Sequence, residues 1–283
     1  MTTLHQTEPE WPGVAGELDD AALLDSSEVM MRLYRESRRD AAGIQAVPGE
    51  VPERLRTRPV SAYARRVALP PPLTESYALQ QALMVRTAVR AYDAAPVSLA
   101  QLGTLLRAAS EGDRQDWPQE EAAGVGLQLT VVAWRVEGLE RAIWRYQPQT
   151  HELVEAGPAP APEEADTLTL QVEFTAAPAL VLITGSLAAA CARYGSWGHR
   201  QLLLRAGSAG QRLWLGAIGV GLAGSVFAGM LPRAANRFAG ADGYLQAGVL
   251  AFAFGRLPRF ASGKGNDLPQ AGAGGSTPQS EEP

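Results

Sequence analysis

Nineteen consecutive residues, Leu213 to Leu231 (LWLGAIGVGLAGSVFAGML), carry no charge, and a stretch of that length must be hidden from water in a bilayer or in a protein core. Five glycines interrupt it, Arg212 and Arg233 bracket it, and the chain offers no second clear span. We read it as a buried helix running into a buried strand, with no membrane association. From just upstream, Leu203, Ala206, Gly210, Leu213, Ala217 and Val220 recur at steps of three and four, a helical period whose small residues allow close packing.

The remaining pattern is mixed. PVSLAQLGTLLRAA predicts a helix with Ser98 as N-cap and Leu99, Leu102, Leu105 and Leu106 on one face. A strand block follows: GLQLTVVAWRV, AIWRYQP and THELVEAG, then, after the loop GPAPAPEEAD, LTLQVEF and APALVLITG, with YLQAGVLAFAFG last. These predict one sheet with antiparallel pairs. Residues 1–80 are proline-rich and read as an extended arm, with one helix around Asp25 to Arg39 packed on the core. Residues 261–283 are low-complexity and are expected to be disordered.

Composition excludes several functions. A net charge of -5 leaves no basic excess for a nucleic-acid backbone. One cysteine, Cys191, and three dispersed histidines (His5, His151, His199) give no metal site. The only lysine is Lys264, in the tail, so the body has no lysine for catalysis. The opening MTTLHQTEPEWPG lacks the basic and apolar regions of a signal peptide, and a cytoplasmic location is expected.

Gly219, Gly221 and Gly224 spell GxGxxG, but they end a helical period instead of following a strand, so a dinucleotide fold is not indicated. No GxSxG elbow is present, and His5 and His151 sit where backbone or solvent bonding is the ordinary role; His199 lies beside Tyr194. Arg86 and Arg90 bracket RTAVR, and the planar guanidinium fork is well matched to phosphate.

Taken together, RTAVRAYDAAPVSLAQLGTLLRAA, RYQPQTHELV and ARYGSWGHRQLLLRAGSAGQRLWLGAIGVGLAGSVFAGM resemble the nitroreductase superfamily, and within it the SagB-type azoline dehydrogenases. RLYRESRR and VALPPPL extend the likeness over roughly residues 28–258. The resemblance implies an α+β fold, a mostly antiparallel central sheet flanked by helices, with residues 81–260 as an FMN-binding domain. It implies a homodimer through the Leu203 to Val220 helix, with flavin between the subunits.

The same resemblance implies site residues. The family's RRSxR falls on RTAVR, where Arg86 and Arg90 are kept and Thr87 and Ala88 replace an arginine and a serine. A Pro-Ser-Ala-Gly flavin contact falls near Glu121 to Gly124, and EaGHxxQN appears as RAGSAGQR, keeping Gly207 and Gln211. Ala228 and Gly229 correspond to the turn facing flavin N5, and Arg256 is a further phosphate ligand. The family's Lys-Tyr pair falls on Arg193 and Tyr194. Azoline oxidation needs a proton acceptor, which an arginine cannot be, so Tyr194 serves as base if its neighbouring arginine lowers its pKa. The expected partners are a precursor peptide and a cyclodehydratase or paralogous dehydrogenase. The competing readings are a catalytically silent subunit of the same fold, with Tyr194 a packed tyrosine, and a flavin reductase of nitroaromatics or quinones.

Overall fold

A computed structural model describes residues 26–38, 48–56, 64–74, 78–161, 164 and 167–258. The tail expected to be disordered lies outside the described residues, as do residues 1–25. Seven strands form one sheet in which every pairing is antiparallel. These are β1 (Arg66–Ala68), β3 (Gln128–Ala133), β5 (Ala142–Gln147), β6 (Glu152–Pro158), β7 (Ala179–Gly185), β8 (Ala223–Phe227) and β9 (Ala247–Gly255), in the order β1-β6-β5-β3-β7-β9-β8. Two short strands, β2 (Val97–Ser98) and β4 (Val136–Glu137), pair in parallel beside it.

The register shows why one sheet holds two cores. Trp144, Val131, Val181 and Phe252 are successive cross-strand partners and all face the larger core. One residue along, Ile143, Val132, Leu180 and Ala253 form the matching row on the opposite face. Adjacent side chains point to opposite faces, so central strands covered on both sides must be apolar at every position, and β7 buries all seven of its residues.

The helices supply the covers. On the larger face lie α3 (Leu99–Asp116) and α6 (Trp197–Gly219), the latter reached from β7 through α5 (Leu187–Tyr194). Ser98 caps α3 by accepting from Gln101 N–H while the Gln101 side chain accepts from Ser98 N–H, a reciprocal capping box. Where α5 meets α6, a Cβ at Gly198 would collide with the Ala190 carbonyl, so only glycine allows that approach. On the other face, α7 (Pro232–Ala239) adds Ala234, Ala235 and Phe238 to the smaller core. The uncharged stretch divides as expected: α6 ends at Gly219, Gly221 turns the chain at φ 75°, and β8 follows. No helix among the described residues is long and apolar enough to cross a membrane.

One expected strand is absent. LTLQVEF makes a single bridge, Thr169 to Met230, and then a 3-10 turn over Val172–Ala176. The next strand, β7, is already paired on both edges by β3 and β9, so the segment before it cannot join there and covers the sheet face instead. The turn drives Phe174 onto Phe227, rings stacked with centroids 4.1 Å apart. The last strand also begins later than its sequence suggests, at Ala247, because residues 240–246 are used in the turn that carries the chain out of α7.

Residues before 81 attach to this body at several points. β1 extends the sheet edge through β6, α1 (Ser26–Glu36) lies where the Arg200 guanidinium donates to the Tyr34 carbonyl and the Ser37 hydroxyl, and Gly49 N–H donates to the Arg193 carbonyl. His151 spans Tyr146 Oη, at 2.9 Å, and the Pro70 carbonyl, at 3.1 Å, a structural role that matches its sequence context.

Two predictions follow from this core. The Arg205 guanidinium, buried in α6, makes a two-pronged contact with Asp113 of α3 at 2.9 and 2.7 Å. Asp113→Ala strands that charge, and urea denaturation should show a loss of about 3–5 kcal/mol; a loss below about 1 kcal/mol would mean the charge finds water. Burial also raises the Tyr92 phenol and pushes Tyr146 up to about 12. Unfolded tyrosine ionises near about 10, so above that pH the unfolded chain binds fewer protons and stability falls as pH rises. Urea midpoints at pH 9 and 11 should differ in that direction, and Tyr146→Phe should flatten the slope.

Candidate functional site

The segment after α2 (Leu79–Val85) carries the arginines, and side-chain hydroxyls hold its backbone in place. Ser225, buried in the edge strand β8, accepts from Val89 N–H at 2.7 Å and donates to the Val89 carbonyl at 2.8 Å. The Tyr92 hydroxyl donates to the same carbonyl at 2.8 Å, and Asp93 N–H donates to the Arg256 carbonyl at 2.9 Å. Residues 86–93 therefore run beside β8 and the end of β9. This brings Arg86, Thr87, Ala88, Arg90 and Arg256 along one border, all exposed.

Arg86 lies over the Trp214 ring of α6, 4.4 Å from its centroid. Half-buried Gln211 is three residues before that tryptophan. Among the described residues none of Arg86, Arg90 and Arg256 is in an ion pair, so their guanidinium charge is not already neutralised by a carboxylate. An aromatic face orients a guanidinium without consuming its N–H donors, which remain available to an anion.

Ala228 and Gly229 leave β8 at its far end. Ala228 is exposed at the mouth of a cavity of about 380 Å³ lined also by Leu182, Met230, Asn236 and Leu250. The Gly229 carbonyl accepts from Leu170 N–H at 2.8 Å, and a Cβ there would press on Gln171 Oε1 at 3.0 Å. The backbone of this turn is thus tied down by the segment expected to be a strand.

Arg193 and Tyr194 close α5 and meet a residue that sequence reasoning passed over. Glu120, on α4 (Pro118–Ala122), is 1% exposed, and its carboxylate accepts from the Tyr194 hydroxyl. Its other oxygen is 2.9 Å from Arg193 Nε, though the N–H is not aligned on it, so the contact is an ion pair and not a directed bond. Tyr194 also packs edge-on to Trp197, centroids 5.5 Å apart. Burial and the Glu120 carboxylate outweigh Arg193 and Gln201, and the Tyr194 phenol is raised above its ordinary value. The condition set for Tyr194 as a free base, a pKa lowered by its arginine, is not met. A signal for Glu120 existed in the sequence, an acidic pair after Trp117-Pro118, but an acidic pair on a short helix ordinarily reads as a solvated face. The Glu121 to Gly124 segment next to it turns through Gly124 at φ 73°, with Glu121 3.2 Å from Arg114.

These groups fall into two sets. Tyr194 precedes Trp197, the first residue of α6, whereas Trp214 lies seventeen residues further on; at 1.5 Å per residue the separation along the helix is about 25 Å. Within one chain the structure unites Arg86, Arg90 and the Arg256 backbone near one end of β8, and Glu120, Arg193 and Tyr194 elsewhere. Among the described residues no group of three or more His, Cys, Asp or Glu side chains could hold a metal.

Comparison with known proteins agrees with this architecture. The profile described as "Nitroreductase family" matches residues 83–256. A Methanocaldococcus jannaschii protein named a nitroreductase is 28% identical over 155 residues, which cover 53% of this chain and 78% of that one. A structure described as a nitroreductase from Anabaena variabilis superposes with a TM-score of 0.61 at 20% identity over 81% of this chain, and this chain spans only 47% of its length. Another so described, from Ralstonia eutropha, gives 0.56 at 19% identity, covering 76% of this chain and 96% of that one. At those identities the structural likeness bears on the fold.

The exposed arginines give a direct test. For the FMN that the resemblance implies, Arg86→Ala should weaken binding at least about tenfold more than for riboflavin, since only FMN offers a phosphate to a charge-assisted bond. Equal weakening of both, measured by fluorescence titration, would place Arg86 in folding instead.

Proposed function

The chain belongs to the nitroreductase family of oxidoreductases, and from that premise we propose that it is an FMN-dependent dehydrogenase that converts azoline rings to azoles in a ribosomally made peptide. A cyclodehydratase that forms those rings is its upstream partner. The observation that carries this reading is the cluster of buried Glu120 with half-buried Tyr194 and Arg193, a carboxylate bonded to a tyrosine hydroxyl with no lysine beside it. The helix that carries the pair, α5, starts at the sheet end where Ala228 emerges: Gly185 of β7 pairs with Ala247 at the start of β9, α5 begins two residues later, and Phe227 of β8 pairs with Ala251.

The residues present fit FMN. Arg86 and Arg90 would hold its phosphate, with Arg256 near the same border, and the fixed backbone of Ala228 and Gly229 would face its ring. When bound, the flavin supplies the hydride acceptor. Arg193 Nε lies 2.9 Å from the Glu120 carboxylate, and the Tyr194 hydroxyl, bonded to that carboxylate, would present its oxygen to the substrate carbon. A second copy of the chain would complete the site by bringing its Tyr194 set to the arginine border of the first. Exposed Leu203 and Leu204 on α6, 47% and 60% accessible, offer the apolar surface for that contact.

A silent subunit that binds precursor peptide or a paralogous dehydrogenase is the second reading, favoured by one observation: Arg193 is engaged by Glu120 and by the Gly49 carbonyl at 3.4 Å, and cannot release a proton. The enzyme reading expects a yellow protein that oxidises an azoline peptide. It also expects Arg193→Lys to keep or raise turnover, because lysine keeps the charge beside Glu120 and can shed a proton when desolvated. A colourless protein, inert in both forms yet retaining the precursor or a second dehydrogenase, would establish the silent subunit.

A further inference from the structure

We infer that Glu120 is the positioning residue and terminal proton acceptor for Tyr194, taking by way of the tyrosine hydroxyl the proton removed from the substrate carbon. This rests on the dehydrogenase reading above and deepens it. In the step, the substrate C–H bond breaks and its proton goes to Tyr194 Oη. At the same moment the proton already on Oη passes to Glu120 Oε1. FMN, when bound as in the dehydrogenase reading, would supply the two-electron acceptor for the second hydrogen, so that of the two hydrogens the substrate loses, the carboxylate takes one as a proton.

Three features of the cluster support the relay. First, Glu120 is 1% exposed, on the short helix α4 that leads into Ala123 and Val125, which pack with Val51, Leu55 and Ala189 of α5. Burying a carboxylate is costly, and a tyrosine that needed only a hydrogen-bond partner could use a backbone carbonyl. Second, the two oxygens are differentiated. Oε1 takes the Tyr194 hydroxyl, while Oε2 faces Arg193, whose N–H is not aimed at it, so the arginine balances the charge without occupying the acceptor. Third, the side chains set against the carboxylate both come from α5, the Arg193 guanidinium and the Tyr194 hydroxyl, one cation and one donor. A raised phenol pKa forbids a standing tyrosinate near neutral pH, and a relay does not need one, because the oxygen gives up a proton as it receives one.

The test is a cycle of Glu120→Gln, Tyr194→Phe and the double variant, with Glu120→Asp as a form that keeps a charge beside Arg193. Glu120→Gln should lower kcat about 10²-fold with KM held, and Glu120→Asp about tenfold because the shorter chain withdraws the acceptor. In the Tyr194→Phe background Glu120→Gln should cost nothing further, since both act in one path. Independently of turnover, ultraviolet titration of the tyrosine absorbance, assigned by difference from Tyr194→Phe, should move to lower pH in Glu120→Gln because the charge that favours the neutral phenol is gone. Losses that multiply in the double variant, an unchanged kcat, or a titration that does not move would overturn the relay alone. A parent protein that never oxidises an azoline peptide would overturn the proposed function and the relay with it.

Discussion

Arg205 lies within α6 with 2% of its side chain exposed, and all three of its guanidinium nitrogens donate, two to the Asp113 carboxylate and one to the Val125 carbonyl at 2.7 Å. A guanidinium so far from water is tolerable only if its donors are met, and here one fork joins α6 to α3 and to the loop that enters β3. Much of the rest depends on that alignment. With α3 and α6 fixed side by side over the sheet, the rows of Trp144, Val131, Val181 and Phe252 receive a cover of constant height. Further along the same pair, Arg212 reaches Asp116 at 2.8 Å, an exposed contact that adds little beside the buried one.

Because the sheet is covered on both faces, reactive groups are displaced to its ends and to its β8 border. The border is where backbone acceptors and donors remain unpaired by another strand, and the chain uses Ser225 to recruit residues 86–93 there instead. That single hydroxyl fixes the backbone between Arg86 and Arg90, so two exposed arginines acquire a defined register without any carboxylate partner. At the other end, the Leu168 to Ala176 segment closes over the smaller core and holds the Gly229 turn. What looks in sequence like a failed strand is a brace for the backbone at which a ring would lie.

An arginine beside a buried carboxylate is a permanent counter-charge, never a base. Arg193 Nε lies 2.9 Å from the buried Glu120 carboxylate, and that carboxylate, together with burial, raises the Tyr194 phenol above its ordinary value. Whether the chain works as an enzyme or as a silent subunit turns on this cluster more than on the arginines of the β8 border, which either would retain to keep a flavin.

Much of the fold was legible from pattern alone, since α6, the Ser98 cap, β3, β5, β6, β7 and β9 follow from local periodicity and capping chemistry that need no partner to be read. The split of the uncharged stretch at its glycines was legible for the same reason, whereas the α+β class came from the family resemblance. The Leu168 to Phe174 segment was not, because its alternation suits a strand and only the pairing of β7 on both edges denies it one. Nor was Glu120: its burial, its bond to a tyrosine 74 residues away and the rise of that tyrosine's pKa arise from packing α4 against α5. Periodicity and caps are properties of neighbours in sequence, whereas desolvation and charge pairing are properties of neighbours in space, and the latter were decided by the tertiary structure.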